Sequence, residues 1–163
     1  MHTEYVILPP VPEHLIETIP EILAKDLRSK RGPYETRHVS AELLSFLEGI
    51  FNAKVEAQYQ IFDIRIPIHI DTTRSRVYNY IIETGGSSVS TSFYDDAEVL
   101  LYSTILQPKR WHYIDTLIKH GIHGIEPNKH RVSIGVQSLR KNGEISVPIP
   151  GIMTEGSIPI IQQ

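Results

Sequence analysis

The pattern of apolar and polar positions changes character at about residue 54. Ahead of it, Pro9-Pro10-Val11-Pro12 reads as an extended lead-in, because proline fixes φ and keeps the preceding residue out of helical space. From Glu13 to Arg28 the apolar residues Leu15, Ile16, Ile19, Ile22, Leu23 and Leu27 recur at helical spacing. Pro20 interrupts the run, which predicts two short helices or one kinked helix. The polar stretch Arg28 to Arg37, with Gly32-Pro33 inside it, is expected to be a loop. Ser40 has the character of an N-cap, with Glu42 in the first turn. Leu43, Leu44, Phe46, Leu47 and Ile50 then form the stripe of a further helix ending near Asn52.

Beyond residue 54 the period becomes two. Phe62, Ile64, Ile66 and Ile68 alternate with Asp63, Arg65, Pro67 and His69. Val77 to Glu83 is rich in β-formers, and Gly85-Gly86 supplies a hairpin turn. Ser88–Tyr94, Val99–Leu106, Trp111–Ile118 and Arg131–Gln137 are further strand candidates. Short strands separated by turn signals predict a β-sandwich or barrel, with the earlier helices laid on the outside of one sheet. The last stretch, 148–163, carries three prolines and two glycines and is expected to run irregularly. No repeat or linker intervenes, so one domain spans 1–163: a helical segment over 1–53, a β core over 54–147, and the tail.

The 163 residues, 40% hydrophobic and 21% charged, suffice for one self-supporting core. There is no cysteine, which excludes disulfides, thiolate nucleophiles, iron–sulfur clusters and Cys-bearing zinc sites. Any metal must be held by His, Asp and Glu. The net charge of −3 argues against nucleic acid as a partner. No run approaches the roughly 18 apolar residues of a membrane span. The opening Met1-His2-Thr3-Glu4 lacks the regions of a signal peptide, so a cytoplasmic location is expected. Phosphate loops, nucleophile elbows and His-Glu-x-x-His helices are absent.

Two places concentrate chemistry. In His69-Ile70-Asp71 the imidazole and carboxylate sit at i and i+2, on one face of a strand, and offer nitrogen and oxygen to iron, manganese or zinc. Further on, Val132, Ile134 and Val136 form the apolar face of a strand, which leaves Arg131 and Ser133 on the other with Gly135 and Gln137. A partly buried guanidinium there asks for a carboxylate, and a serine hydroxyl can donate to the same anion. Between them lies His120-Gly121-Ile122-His123-Gly124-Ile125-Glu126-Pro127, with two candidate histidines. His2, His14 and His38 are read as surface residues, and His112 and His130 as solvent-facing. Asp95-Asp96 reads as a turn, while Trp111 and Tyr113 read as core or pocket lining rather than a stacking platform.

His69-x-Asp71 followed by Val77-Tyr-Asn-Tyr-Ile-Ile, Gly85-Gly86, Thr91-Ser-Phe-Tyr94, His123-Gly-Ile-Glu-Pro and Arg131-x-Ser133 resembles the iron(II)/2-oxoglutarate-dependent oxygenases over roughly 60–140, in particular small phage and bacterial members. The resemblance implies a double-stranded β-helix, a jelly-roll or cupin-like core. It implies a metal triad of His69, Asp71 and His123, chosen over His120 because Gly-Ile-Glu-Pro follows it. It further implies Arg131 and Ser133 on the distal carboxylate of 2-oxoglutarate, and Asn79 looking into the cosubstrate pocket. The expected cofactors are iron(II), 2-oxoglutarate and O₂, and the expected reaction is hydroxylation of an unidentified substrate, a small molecule or protein side chain. The alternatives are a cupin-like metal enzyme that does not use 2-oxoglutarate, and a jelly-roll binding module whose histidines are incidental.

Overall fold

The computed structural model describes residues 3–71, 76–138 and 153–154. Its centre is the antiparallel pairing of β4 (Val55–Phe62) with β11 (Arg131–Ser138) over the full length of both. Val55, Ala57, Tyr59 and Ile61 share one side with Val132, Ile134 and Val136, and all seven are buried. The intervening residues Gln58, Gln60, Phe62, Arg131 and Ser133 therefore point to the opposite side.

Around this pair, β6 (Arg76–Thr84) and β9 (Trp111–Asp115) continue the sheet on one flank. β3 (Tyr34–His38) and β2 (Leu27–Arg31) continue it on the other. β1 (Thr3–Ile7) and the two-residue β12 (Met153–Thr154) complete eight strands in the order β12-β1-β9-β6-β11-β4-β3-β2. A second sheet, β5-β10-β7-β8, is built from Ile66–His69, Lys119–His123, Ser90–Tyr94 and Leu100–Thr104. From β4 to β11 the chain passes repeatedly between the two sheets, and every ladder is antiparallel. That winding is a double-stranded β-helix, a jelly roll, preceded by helices as expected.

The helices cover the large sheet. Thr18 caps α1 (Ile19–Ala24) in a reciprocal box with Glu21, which places Pro20 in the first turn, where its missing N–H costs nothing. The proline starts the helix, and a single 3₁₀ turn at Glu13–Leu15 precedes it. Ser40 Oγ accepts from the Leu43 N–H at 3.1 Å to open α2 (Ala41–Phe51), which Asn52 closes in the left-handed region. Ile22, Leu43, Leu47 and Phe51 pack on Tyr59, Trp111, Val132 and Ile134. The Trp111 indole, in the core as expected, meets Phe51 edge-on at 5.5 Å and donates to the Pro9 carbonyl, which straps down the lead-in.

Several expectations change. Residues 28–37 form a hairpin rather than a loop: Arg31 pairs with Tyr34 across Gly32-Pro33, with Gly32 at φ +57°. β2 is exposed along its whole length, so it has no alternation to read. The 62–69 run breaks at Asp63-Ile64-Arg65, where the chain crosses between sheets and Ile64 is 57% exposed. Gly85-Gly86 likewise joins strands of different sheets, not a hairpin. The first 53 residues contribute three strands as well as helices. Of the tail, only Met153–Thr154 lies within the described residues, paired with β1; 139–147 and His2 lie outside them.

His112 is buried, not solvent-facing, with Nε2 3.2 Å from the Gln107 carbonyl. His14 and His38 are exposed as expected, and His130 is half-buried. Burial holds the His112 imidazole neutral, down to about 4 from its ordinary 6.5. Between those values the unfolded chain binds the extra proton, so His112 lowers stability as pH falls through 6.5 toward 4. The loss should reach on the order of 3 kcal/mol. Urea unfolding of wild type and His112→Gln at neutral and mildly acidic pH checks this: the variant's stability should fall less.

Candidate metal centre

The inward face of the small sheet brings two histidines together. His69 ends β5 and stands directly across the ladder from His120 on β10. Side chains opposed on antiparallel strands share a face, and these rings lie 4.3 Å apart. His69 Nδ1 is 2.8 Å from the Pro67 carbonyl, and His120 Nδ1 is 2.7 Å from the Ile118 carbonyl. A carbonyl only accepts, so each Nδ1 carries the proton and each Nε2 presents a lone pair. Asp71 supplies the third group: its Oδ1 lies 3.3 Å from His69 Nε2 and 3.7 Å from His120 Nε2. Its backbone N–H donates to the Thr116 carbonyl at 3.1 Å, which ties the residue beyond β5 to the turn after β9.

Ligand atoms of His69, Asp71 and His120 all fall within 4.8 Å of one another, the one such cluster among the described residues. Two imidazole nitrogens and one carboxylate oxygen suit a divalent transition metal and leave other coordination positions open. Anchoring each Nδ1–H on a carbonyl is the outer arrangement that metal-binding imidazoles use. The residues fit a metal.

The structure places His120, not His123, beside His69 and Asp71. His123 is three positions along the same strand, on its other face, with Nε2 2.8 Å from the Tyr94 hydroxyl. The periodicity that would have separated the two was hidden because 119–123 lacks a strand-like pattern. Gly121 explains the composition: a Cβ there would stand 2.9 Å from the Ile66 carbonyl, so glycine is what lets β5 lie against β10.

The large sheet supplies the facing wall. Arg131, 4% exposed, donates from Nη1 to Thr91 Oγ1 at 3.0 Å, and no described carboxylate pairs with it. Burial pushes its guanidinium down to about 10. Asn79 is buried, with Oδ1 unpartnered. Ser133 Oγ donates to Gln60 Oε1 at 3.1 Å, so serving an anion beside Arg131 requires that hydroxyl to rotate. These residues line one cavity of about 670 Å³ with His69, Asp71 and His120. The cavity runs on to Tyr34 and Arg28 of the β2–β3 hairpin. Gln58 and Gln60 both donate to the Tyr34 hydroxyl, at 3.2 and 3.4 Å. Sequence does not mark Thr91, Gln60 and Tyr34 as site residues: Thr91 opens the Thr-Ser-Phe-Tyr run with no sign of its contact to Arg131, and register brings all three here.

No protein-family profile and no curated protein sequence matches the chain. Among solved structures it is similar to an oxidoreductase of the 2OG-Fe(II) oxygenase family from Burkholderia pseudomallei, at 10% identity over 77% of each chain and a TM-score of 0.50. The likeness is one of fold. At a TM-score of 0.47 it also overlays the hydroxypropylphosphonic acid epoxidase of S. wedmorenis, with 10% identity over 79% of this chain and 64% of that one. An oxalate decarboxylase from Lactobacillus farciminis overlays at 0.46, with 10% identity over 80% of this chain and 33% of that one. No described helix is long and apolar enough to cross a membrane.

The geometry separates the two histidines by experiment. His120→Ala should weaken cobalt(II) or iron(II) binding by about 100-fold or more, and His123→Ala should leave it nearly unchanged. Titration calorimetry on both variants reads this directly. Gly121→Ala, which touches no ligand atom, should cost about 1–3 kcal/mol of stability by forcing β5 from β10. Chemical denaturation measures that cost.

Proposed function

We propose that the protein is an iron(II)/2-oxoglutarate-dependent oxygenase, a hydroxylase in which His69, Asp71 and His120 hold the metal. One observation carries the reading: a buried guanidinium without a described carboxylate partner shares its cavity with a two-histidine, one-carboxylate cluster. An unpaired buried cation is expensive. A dianionic cosubstrate that reaches from metal to Arg131 relieves that cost, and a cupin-type metal enzyme without 2-oxoglutarate has no such use for it. Once bound, iron(II) with 2-oxoglutarate and O₂ would supply oxidative decarboxylation to succinate and CO₂, coupled to oxidation of a substrate C–H bond.

The chain's own residues perform the rest. The carbonyls of Pro67 and Ile118 hold both imidazoles in the tautomer that presents Nε2. Arg131 binds the distal carboxylate through its planar fork, oriented by Thr91, with Ser133 turned from Gln60 to assist. Asn79 Oδ1 accepts from a donor in the cavity. Ile114, Ile122 and Val77 line the same cavity and keep water from the reacting region. The remaining space toward Tyr34 and Arg28 takes the substrate, a small molecule or a protein side chain, in a cytoplasmic setting.

Anaerobic addition of iron(II) and 2-oxoglutarate should produce a weak visible charge-transfer band. Metal binding without the band would favour a cupin-type enzyme, and failure to bind metal would favour a binding module. Arg131→Ala should weaken 2-oxoglutarate binding by on the order of 2–5 kcal/mol while leaving metal affinity intact. Arg131→Lys should also weaken it, because a point charge cannot reproduce the fork. Succinate release unchanged in both variants would end the assignment.

A further inference from the structure

The cavity has a second charged end. Three arginines and two carboxylates line it: Arg28, Arg31 and Arg131 against Glu56 and Asp71. Asp71 belongs to the histidine cluster. Arg28 is ion-paired with Glu56, which also accepts from the Gln137 amide at 2.9 Å. Arg131 is the buried cation of the proposed cosubstrate site. That leaves Arg31, which is exposed and makes no ion pair or hydrogen bond with a described residue.

Register fixes where it stands. Arg31 lies across from Tyr34, Tyr34 across from Phe62, and Phe62 across from Arg131. Opposed side chains on antiparallel strands share a face, and all four line the cavity. The two arginines therefore end one cross-strand row, about 14 Å apart at the backbone by three ladder spacings. Between them the rings of Tyr34 and Phe62 stack at 5.0 Å. The Tyr34 hydroxyl accepts from the Gln58 and Gln60 amides, which uses its acceptor capacity and leaves it the role of donor.

We propose that the substrate is a small organic acid whose carboxylate or phosphate group binds Arg31, with the Tyr34 hydroxyl as the neighbouring donor. Calling this ligand the substrate rests on the oxygenase reading; the anion site itself does not. Charge balance selects the class. The charges of a divalent metal, Asp71 and Arg131 together cancel those of dianionic 2-oxoglutarate, and Arg28 and Glu56 cancel each other. The loaded cavity then keeps the single positive charge of Arg31, which an anionic substrate neutralises and a cationic one would double. Because Arg31 is solvated when empty, its charge acts on capture rather than on folding. The cavity, at about 670 Å³, is of the size that takes small molecules.

Inorganic sulfate is the probe, titrated at low salt into the full-length protein loaded with zinc(II), with and without saturating 2-oxoglutarate. Arginine Nε–H NMR signals, assigned by substitution, report each guanidinium separately, and calorimetry gives the affinity. With 2-oxoglutarate present, Arg31 should show a saturable shift that weakens as sodium chloride is added. Arg31→Gln should weaken sulfate binding by about fivefold or more, and Arg31→Lys should retain part of it. Lys30→Gln makes the same charge change at a position that pairs with Glu35 and lies outside the cavity lining, and should bind like wild type. Melting temperature should not change in any of the three. Sulfate binding undiminished in Arg31→Gln, or weakened as much by Lys30→Gln, overturns the proposal. The two readings fail separately. If Arg131 ignores 2-oxoglutarate while Arg31 binds sulfate, the oxygenase assignment falls and the anion site stands. If Arg131 responds to 2-oxoglutarate and Arg31 ignores sulfate, the substrate inference alone falls.

Discussion

The ladder that joins β11 to β4 and β6 is the constraint from which the rest of the molecule follows. From Arg131 to Gln137 the side chains of β11 alternate between the helix-covered core and the cavity. Val132, Ile134 and Val136 seal against α2, and Arg131 and Ser133 enter the space between the sheets. A slip of one residue would put the guanidinium beneath the helix and three β-branched side chains into the cavity. Pairing on both flanks makes that slip cost the entire core. Register is therefore fixed by apolar burial, and the polar wall of the cavity inherits its geometry from it.

That inheritance explains how a cation can sit where Arg131 does. Burial alone disfavours its charged form, and Thr91 satisfies one of its five donors. Stability must come from elsewhere, from the aromatic and aliphatic cluster on the other face of the same strand. The arrangement is unfavourable locally and retained globally, which is what a binding site on a rigid scaffold requires. Gln60 shows the same economy of space: its amide occupies the volume a Cβ on Gly135 would take, 2.6 Å from it, and so reaches Ser133 and Tyr34.

What the sequence revealed and what it hid have a common cause. Periodicity reports burial, so most strands with one buried face are legible: β6, β7, β9 and β11 fall within or beside the predicted runs, whereas β4 ends where the first named run, 62–69, begins. The capped helix ending at Asn52 is legible for the same reason. The exposed β8 is legible as well, through its run of β-forming residues rather than through burial. β2, exposed throughout, and β10, interrupted by Gly121, carry no such signal. The distal histidine followed. With no strand predicted over 119–123, nothing in the local pattern shows that His120 and His123 face opposite ways, and the following Gly-Ile-Glu-Pro points to His123, which lies against Tyr94 and not against His69 and Asp71.

The three candidate ligands also differ in how firmly strand pairing holds them. His120 is held within a strand paired on both sides, by β5 and β7. His69 is the last residue of a four-residue edge strand, and Asp71 lies just past it, held through its backbone by Thr116. A metal bound by all three would therefore join the short edge strand and the segment after it to a strand paired on both sides. The free energy of binding would then stabilise the β5–β10 contact, the same contact that Gly121 permits. Coordination and sheet closure would then be one equilibrium, and a metal held there would be a part of the fold's edge as well as a passenger within it.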